Sequence, residues 1–205
     1  MLENLPGVVG HILRDRRAGL DKIVFNRCGL RSGHGTMTLA SLAFADHAPM
    51  PARYTADGEG VSPPLHWSGV PANAHSLVMI VEDADAPTGE PLVHAILVDM
   101  PAEDDSLPEA VIGDTGEHAD DVHEGRNSYF RAGWLPPDPP PGHGEHRYAF
   151  QLFALGEGAA FKGKPGRDEL MAAIQERGIA SAILVGTYTR PDGSIRADGE
   201  QPVAA

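Results

Sequence analysis

The sequence predicts a mainly β protein, two packed sheets in a sandwich rather than an alternating α/β layer fold. Three observations carry that expectation. Several short stretches alternate in hydrophobicity or run apolar at strand length. Glycine and proline number 24 and 18 in 205 residues, too many interruptions for long helices. Clear helical spacing in the second half of the chain occurs in one stretch near the C-terminus.

At the N-terminus, Leu5, Val8, Val9, Ile12, Leu13, Leu20, Ile23 and Val24 recur at a spacing that suits one or two short amphipathic helices, interrupted by Gly7, Gly10 and Gly19. Arg14, Arg16 and Arg17 fall on the polar face. The expected role is an arm packed on the main domain or on a second subunit, so a homodimer is one expectation. A membrane-contacting helix is the weaker alternative, because the basic patch is short and adjoins Asp15 and Asp21. Residues 1–35 are therefore read as a partly helical extension, 36–192 as the β domain, and 193–205 as a polar tail.

Thr36 to Phe44 alternates and predicts a first strand. From Ala45 to Pro64 the density of Asp, Gly and Pro predicts an irregular surface excursion. Leu65-His66-Trp67 suits a short strand. Ser76 to Glu82 and Val93 to Met100 are nearly continuous apolar runs, as expected of strands buried on both faces. Residues 101–141 show little periodicity, and a loop that long in one domain usually serves a function. His146 to Leu155 alternates as a strand. Asp168 to Arg177 has helical spacing, with Gly166 or Asp168 as its cap. Ser181 to Arg190 is the last predicted strand.

Composition limits the function. The 16 basic and 29 acidic residues give a net charge of −13, which repels phosphate backbones and anionic membranes. No nucleic-acid partner and no integral membrane segment are expected. Cys28 is the single cysteine, so neither an internal disulfide nor a cysteine zinc cluster is available. Glu3 and Pro6 stand where a signal peptide needs an apolar core, giving a cytoplasmic expectation.

Some motifs carry less than they promise. Gly158, Gly163 and Lys164 match phosphate-loop spacing, but Pro165 stands where that loop needs Ser or Thr. His118, Asp120, Asp121, His123 and Glu124 are metal-ligand types on no rigid element, and read as a solvated acidic loop. Ser62 lacks the closing glycine of a nucleophile elbow. No catalytic residue, metal or cofactor is assigned. His66, His75 and His143 are read as surface or packing residues, and Trp67 and Trp134 as packing residues.

The stretch that organises the rest is Asp83-Ala84-Asp85-Ala86-Pro87, between two apolar runs and ahead of His94. In extended chain the two carboxylates share a side, roughly 7 Å apart. By itself this pattern suits a ligand site or an acidic turn equally well. Farther on comes Pro139-Pro140-Pro141-Gly142-His143-Gly144-Glu145-His146-Arg147-Tyr148. Together these stretches resemble the phosphatidylethanolamine-binding protein family, specifically its bacterial Raf-kinase-inhibitor-like branch. The family has an Asp-Pro-Asp-Ala-Pro run between two strands, a histidine opening the second, and a proline-rich loop ending in His-Arg-Tyr. Ala84 departs from it at the second position. Gly60 to Trp67, Gly125 to Tyr129, Gly133-Trp134 and Gly186-Thr187-Tyr188 resemble further family segments in the same order, over about residues 36–190.

The resemblance implies an antiparallel Greek-key β-sandwich with a small anion pocket at one end. Its lining would be Asp83, Asp85, Pro87, His94, His146 and Tyr148, with Arg147 and Pro141 in structural roles. His94 and His146 would contact the anion, and the aspartates would either bind ligand or shape the loop. The implied function is non-enzymatic binding of phosphoryl or phospholipid head groups, or similar small anions. Two alternatives stand beside it: a protein-interaction module regulating a kinase or protease, and a metal-assisted hydrolase using the Asp/His cluster.

Overall fold

The structure, a computed structural model, describes residues 10, 12–13, 15–30, 37–113 and 123–191. Nine strands form two sheets among them. A three-stranded sheet has the order β1-β3-β6, built from β1 (Thr38–Ala40), β3 (Leu65–Ser68) and β6 (Asp105–Leu107). A six-stranded sheet has the order β2-β9-β8-β4-β5-β7, from β2 (Ala48–Pro49), β4 (Ser76–Asp83), β5 (Leu92–Met100), β7 (His123–Glu124), β8 (His146–Leu155) and β9 (Gly178–Tyr188). The α-helices described in full are α1 (Val24–Arg27) and α2 (Arg167–Arg177), beside short 3-10 helices at Leu20–Lys22 and Ala52–Tyr54. Pairing is antiparallel throughout except where β2 joins β9 in parallel.

The apolar runs become central strands because both their faces are covered. Leu77, Met79 and Val81 of β4 share a buried cluster with Leu39, Leu65 and Trp67 of the smaller sheet. Val78 and Ile80, on the opposite face, pack with Leu170 and Ile174 of α2 and with Val24 of α1. β8 divides in the same way. Tyr148, Phe150 and Leu152 join the first cluster and Phe153 the second, as the two-residue period of a strand requires. Gly166 caps the start of α2, and its N–H donates to the Glu169 carboxylate at 2.6 Å, satisfying an end group that the helix itself leaves unpaired.

Several expected elements shift. The first strand is confined to Thr38–Ala40, and the last starts earlier than predicted, at Gly178. The region expected to be one long loop, 101–141, contains β6 and β7. His118, Asp120 and Asp121 lie outside the described residues. Within that cluster, His123 is held by Asp99 at 3.0 Å and the Gly163 carbonyl at 2.7 Å, and Glu124 accepts from the Gly113 N–H at 2.6 Å.

The described part of the N-terminal extension packs on the β domain. Ile23 and Val24 are buried, and the Val24 N–H donates to buried Glu82 at 2.7 Å. Glu82 also accepts from Gln151 and Arg167, so its charge is paired and bonded inside the protein. Among the described residues, no helix is long and apolar enough to cross a membrane.

Candidate functional site

β4 and β8 end side by side, with Asp83 paired to Tyr148 in register. One strand over, the pairing of β4 with β5 skips a residue: Val81 pairs with Ala95 and Glu82 with Val93. His94 is the extra residue of this β-bulge. A bulge bends its strand and re-aims a side chain. Here it brings His94 onto the face of Asp83 and Tyr148, with its ring edge-on to the Tyr148 ring at 5.2 Å.

Asp83 closes the turn after β4. Its Oδ1 accepts the Asp85 N–H at 2.8 Å, the side-chain-to-backbone bond that shapes Asx turns. The Ala84 N–H donates to the Arg147 carbonyl at 3.0 Å. A proline, which the family pattern carries at this position, has no N–H to give.

Asp85 turns away from the cavity described below. It is buried, and its oxygens accept from the Arg147 backbone at 2.9 Å, from Arg147 Nε and Nη2 at 2.7 Å each, and pair with Arg17 at 2.9 Å. Burial pushes its carboxyl up, but the bonds from Arg147 and Arg17 outweigh that and hold it at about 2, against an ordinary 3.8. Arg147 thus clamps the first loop to β8 with a two-pronged guanidinium contact.

His146 is also engaged on both ring nitrogens. Nδ1 lies 2.7 Å from Asp83 Oδ2, and Nε2 lies 2.7 Å from Nδ1 of His143. His143 Nε2 in turn faces the Leu13 and Arg16 carbonyls at 2.8 and 3.2 Å. The sequence reading placed His143 at the surface or in packing; it is fully buried and part of this chain of bonds. Three contacts in a row need three hydrogens, whereas two neutral imidazoles supply two. The third brings the net charge of Asp83, His146 and His143 together to zero. Burial, and then the adjacent His146, hold the His143 pKa below the ordinary 6.5.

Above this floor lies a cavity of about 690 Å³ lined by Asp83, Pro87, His94 and His146, with Trp134, Leu135, Pro139 and Pro140 forming much of the wall and Arg131 among its lining residues. Trp134 packs on Phe150 with ring centroids 6.0 Å apart, so it serves the core and the cavity at once. His94 Nδ1 lies 2.6 Å from the Leu135 carbonyl. Its Nε2 is buried with no hydrogen-bond partner among the described residues, and so is the Tyr148 hydroxyl. Burial is the largest influence on both: it lowers the His94 pKa and raises that of Tyr148 well above 10.0, so each stays neutral. Pro141 is buried beside the cavity, with Gly10 packed on its carbonyl. His66 and His75 are exposed and distant from these contacts. Among the described residues, no group of three or more His, Cys, Asp or Glu side chains is placed to hold a metal ion.

Comparison with known proteins comes to the same region of the chain. Residues 40–189 match the family profile of phosphatidylethanolamine-binding protein. The chain is 36% identical over 154 residues to a UPF0098 protein of Methanothermobacter thermautotrophicus, spanning 75% of this chain and 99% of that one. Its fold is similar to the crystal structure of CT736 from Chlamydia trachomatis, described as a phosphatidylethanolamine-binding protein homologue (TM-score 0.67, 33% identity, 76% of this chain and 98% of that one). It is also similar to E. coli YbcL, described as a member of the mammalian family (TM-score 0.69, 26% identity, 76% and 99%). The arm residues that hold His143 and Asp85 precede the matched segment.

Proposed function

The chain belongs to the phosphatidylethanolamine-binding protein family, and from that premise we propose that it is a non-enzymatic binding protein whose cavity takes a phosphoryl group or a similar small anion. One observation carries this reading: His94 Nε2 on β5 and the Tyr148 hydroxyl on β8, both buried and unpartnered among the described residues, stand on the two strands that flank Asp83 of β4. A buried polar group without a partner costs about 1–3 kcal/mol, a cost that a ligand oxygen would relieve. Arg131 supplies the cavity with a cation for the ligand's negative charge.

The expected site residues take different parts in this reading. His94 and Tyr148 meet the ligand directly. His146, with both nitrogens engaged, orients Asp83 and closes the floor. Asp85 and Arg147 hold the loop. Binding without turnover is inferred from the family premise.

The test is a nitrogen-15 NMR titration of the histidine side chains with inorganic phosphate and phosphoethanolamine. His94 Nε2 should shift on saturation, and His94→Ala should abolish binding while leaving the circular dichroism spectrum unchanged. A ligand panel that leaves the His94 ring unperturbed would contradict the proposal.

A further inference from the structure

We propose that the pocket requires a hydrogen on its ligand. It takes a phosphoryl group in the singly protonated P–OH form, as in a phosphate monoester or inorganic phosphate, and discriminates against sulfate and phosphodiesters, which carry no such hydrogen near neutral pH. This rests on the cavity being a phosphoryl site and goes beyond it by naming the class of phosphoryl group.

The argument starts from what His94 can offer. Its Nδ1 faces the Leu135 carbonyl at 2.6 Å, and a carbonyl only accepts, so Nδ1 carries the hydrogen. The Leu135 N–H donates back to the His94 carbonyl at 2.8 Å, which pins that segment against the ring. The tautomer is therefore set by the fold, and Nε2 presents a lone pair to the ligand. Turning it into a donor means creating a buried cation, since His94 is 2% exposed.

The charged and titratable groups around the ring do not supply that cation cheaply. Asp83 on β4 faces it but is paired with His146 of β8 at 2.7 Å. Asp138, from the segment after Leu135, is paired with Arg190 at 2.7 Å. Tyr148 of β8 stands edge-on and neutral, and Arg131 lines the cavity. Burial prevails over the two carboxylates and holds His94 neutral.

The floor thus presents acceptors at His94 Nε2 and at the remaining lone pairs of Asp83, and one donor, the Tyr148 hydroxyl. The Asp83–His146–His143 chain adds no net charge. An anion whose oxygens all lack hydrogens places lone pair against lone pair at His94. A P–OH group donates there, while its unprotonated oxygens accept from Tyr148 and Arg131.

The experiment is isothermal titration of the full chain with inorganic phosphate, methyl phosphate, dimethyl phosphate and sulfate at constant ionic strength. Dimethyl phosphate represents the diester of a lipid head group, and methyl phosphate the free monoester. At about pH 6, where about half or more of each is singly protonated, phosphate and methyl phosphate should bind about tenfold or more tighter than the other two, because leaving a buried acceptor unpaired has a cost of that order. At about pH 7.5, methyl phosphate binding should take up nearly one proton, since a phosphomonoester's second pKa is about 6. In His94→Gln, which can turn an amide N–H₂ toward the ligand, sulfate should gain on methyl phosphate. Sulfate or dimethyl phosphate binding within about twofold of methyl phosphate at about pH 6 overturns the inference and leaves the phosphoryl reading standing. If none of the four binds, both fall together.

Discussion

Replacing Asp85 by asparagine removes the charge at the centre of the loop clamp while keeping the side chain's size. The wild-type carboxylate accepts one backbone and two side-chain bonds from Arg147 and pairs with Arg17, all at 2.7–2.9 Å. Its pKa of about 2, below 3.8, corresponds to about 2 kcal/mol of folding stability. A carboxylate depressed on folding contributes fully above its unfolded value, and that contribution fades as pH falls from about 4 through about 2. The partners decide how much worse the substitution is. Arg17 and Arg147 side chains are 31% and 35% exposed, so water can rehydrate both guanidinium groups. The cost therefore stays near 2–3 kcal/mol, below the ~3–5 kcal/mol of breaking a fully buried pair. Urea denaturation of Asp85→Asn and wild type should show that gap, constant between about pH 7 and pH 5 and shrinking below about pH 4. A gap under about 0.5 kcal/mol at neutral pH, or one that changes between pH 7 and 5, would refute the clamp.

Tyr148→Phe should separate binding from stability. Deleting an unpartnered buried hydroxyl should leave stability unchanged or raise it by about 1 kcal/mol, while phosphoryl affinity falls; a destabilised variant with wild-type affinity would reverse the assignment. His94 and His143 both have folded pKa values below 6.5, so the unfolded chain binds more protons than these two sites do in the native state as pH drops through that value. Stability should decline below about pH 6.5, and His94→Gln should flatten part of that slope; an unchanged slope counts against a neutral His94. His143→Ala should loosen the N-terminal arm, read as faster hydrogen exchange at Ala18 and Gly19, whose amides donate to Ala86 and Ala84. Unaltered exchange at both would show that His143 does not anchor the arm.

What the sequence made legible follows the range of the forces involved. β8 and α2 were readable because period-two alternation and helical spacing are local consequences of which face is buried. β2, β6 and β7 were not, since two- or three-residue strands carry no period and their pairing is decided by distant partners. Asp83, His94 and His146 were legible as motif residues. The bulge that aims His94 was hidden, because a continuous apolar run gives no parity to break. His143 had a faint signal in its spacing from His146 and in Gly142 and Gly144, both at positive φ, which let the loop turn between the two rings. Its other partners, the Leu13 and Arg16 carbonyls, are backbone atoms and leave no mark in residue types.

A crystal structure grown with methyl phosphate tests the phosphoryl site most directly. The expected result is a phosphoryl group with oxygens about 3 Å from both His94 Nε2 and the Tyr148 hydroxyl, and the Asp83–His146–His143 contacts intact. A phosphoryl group bound elsewhere on the protein, with that pair of atoms untouched, would contradict it.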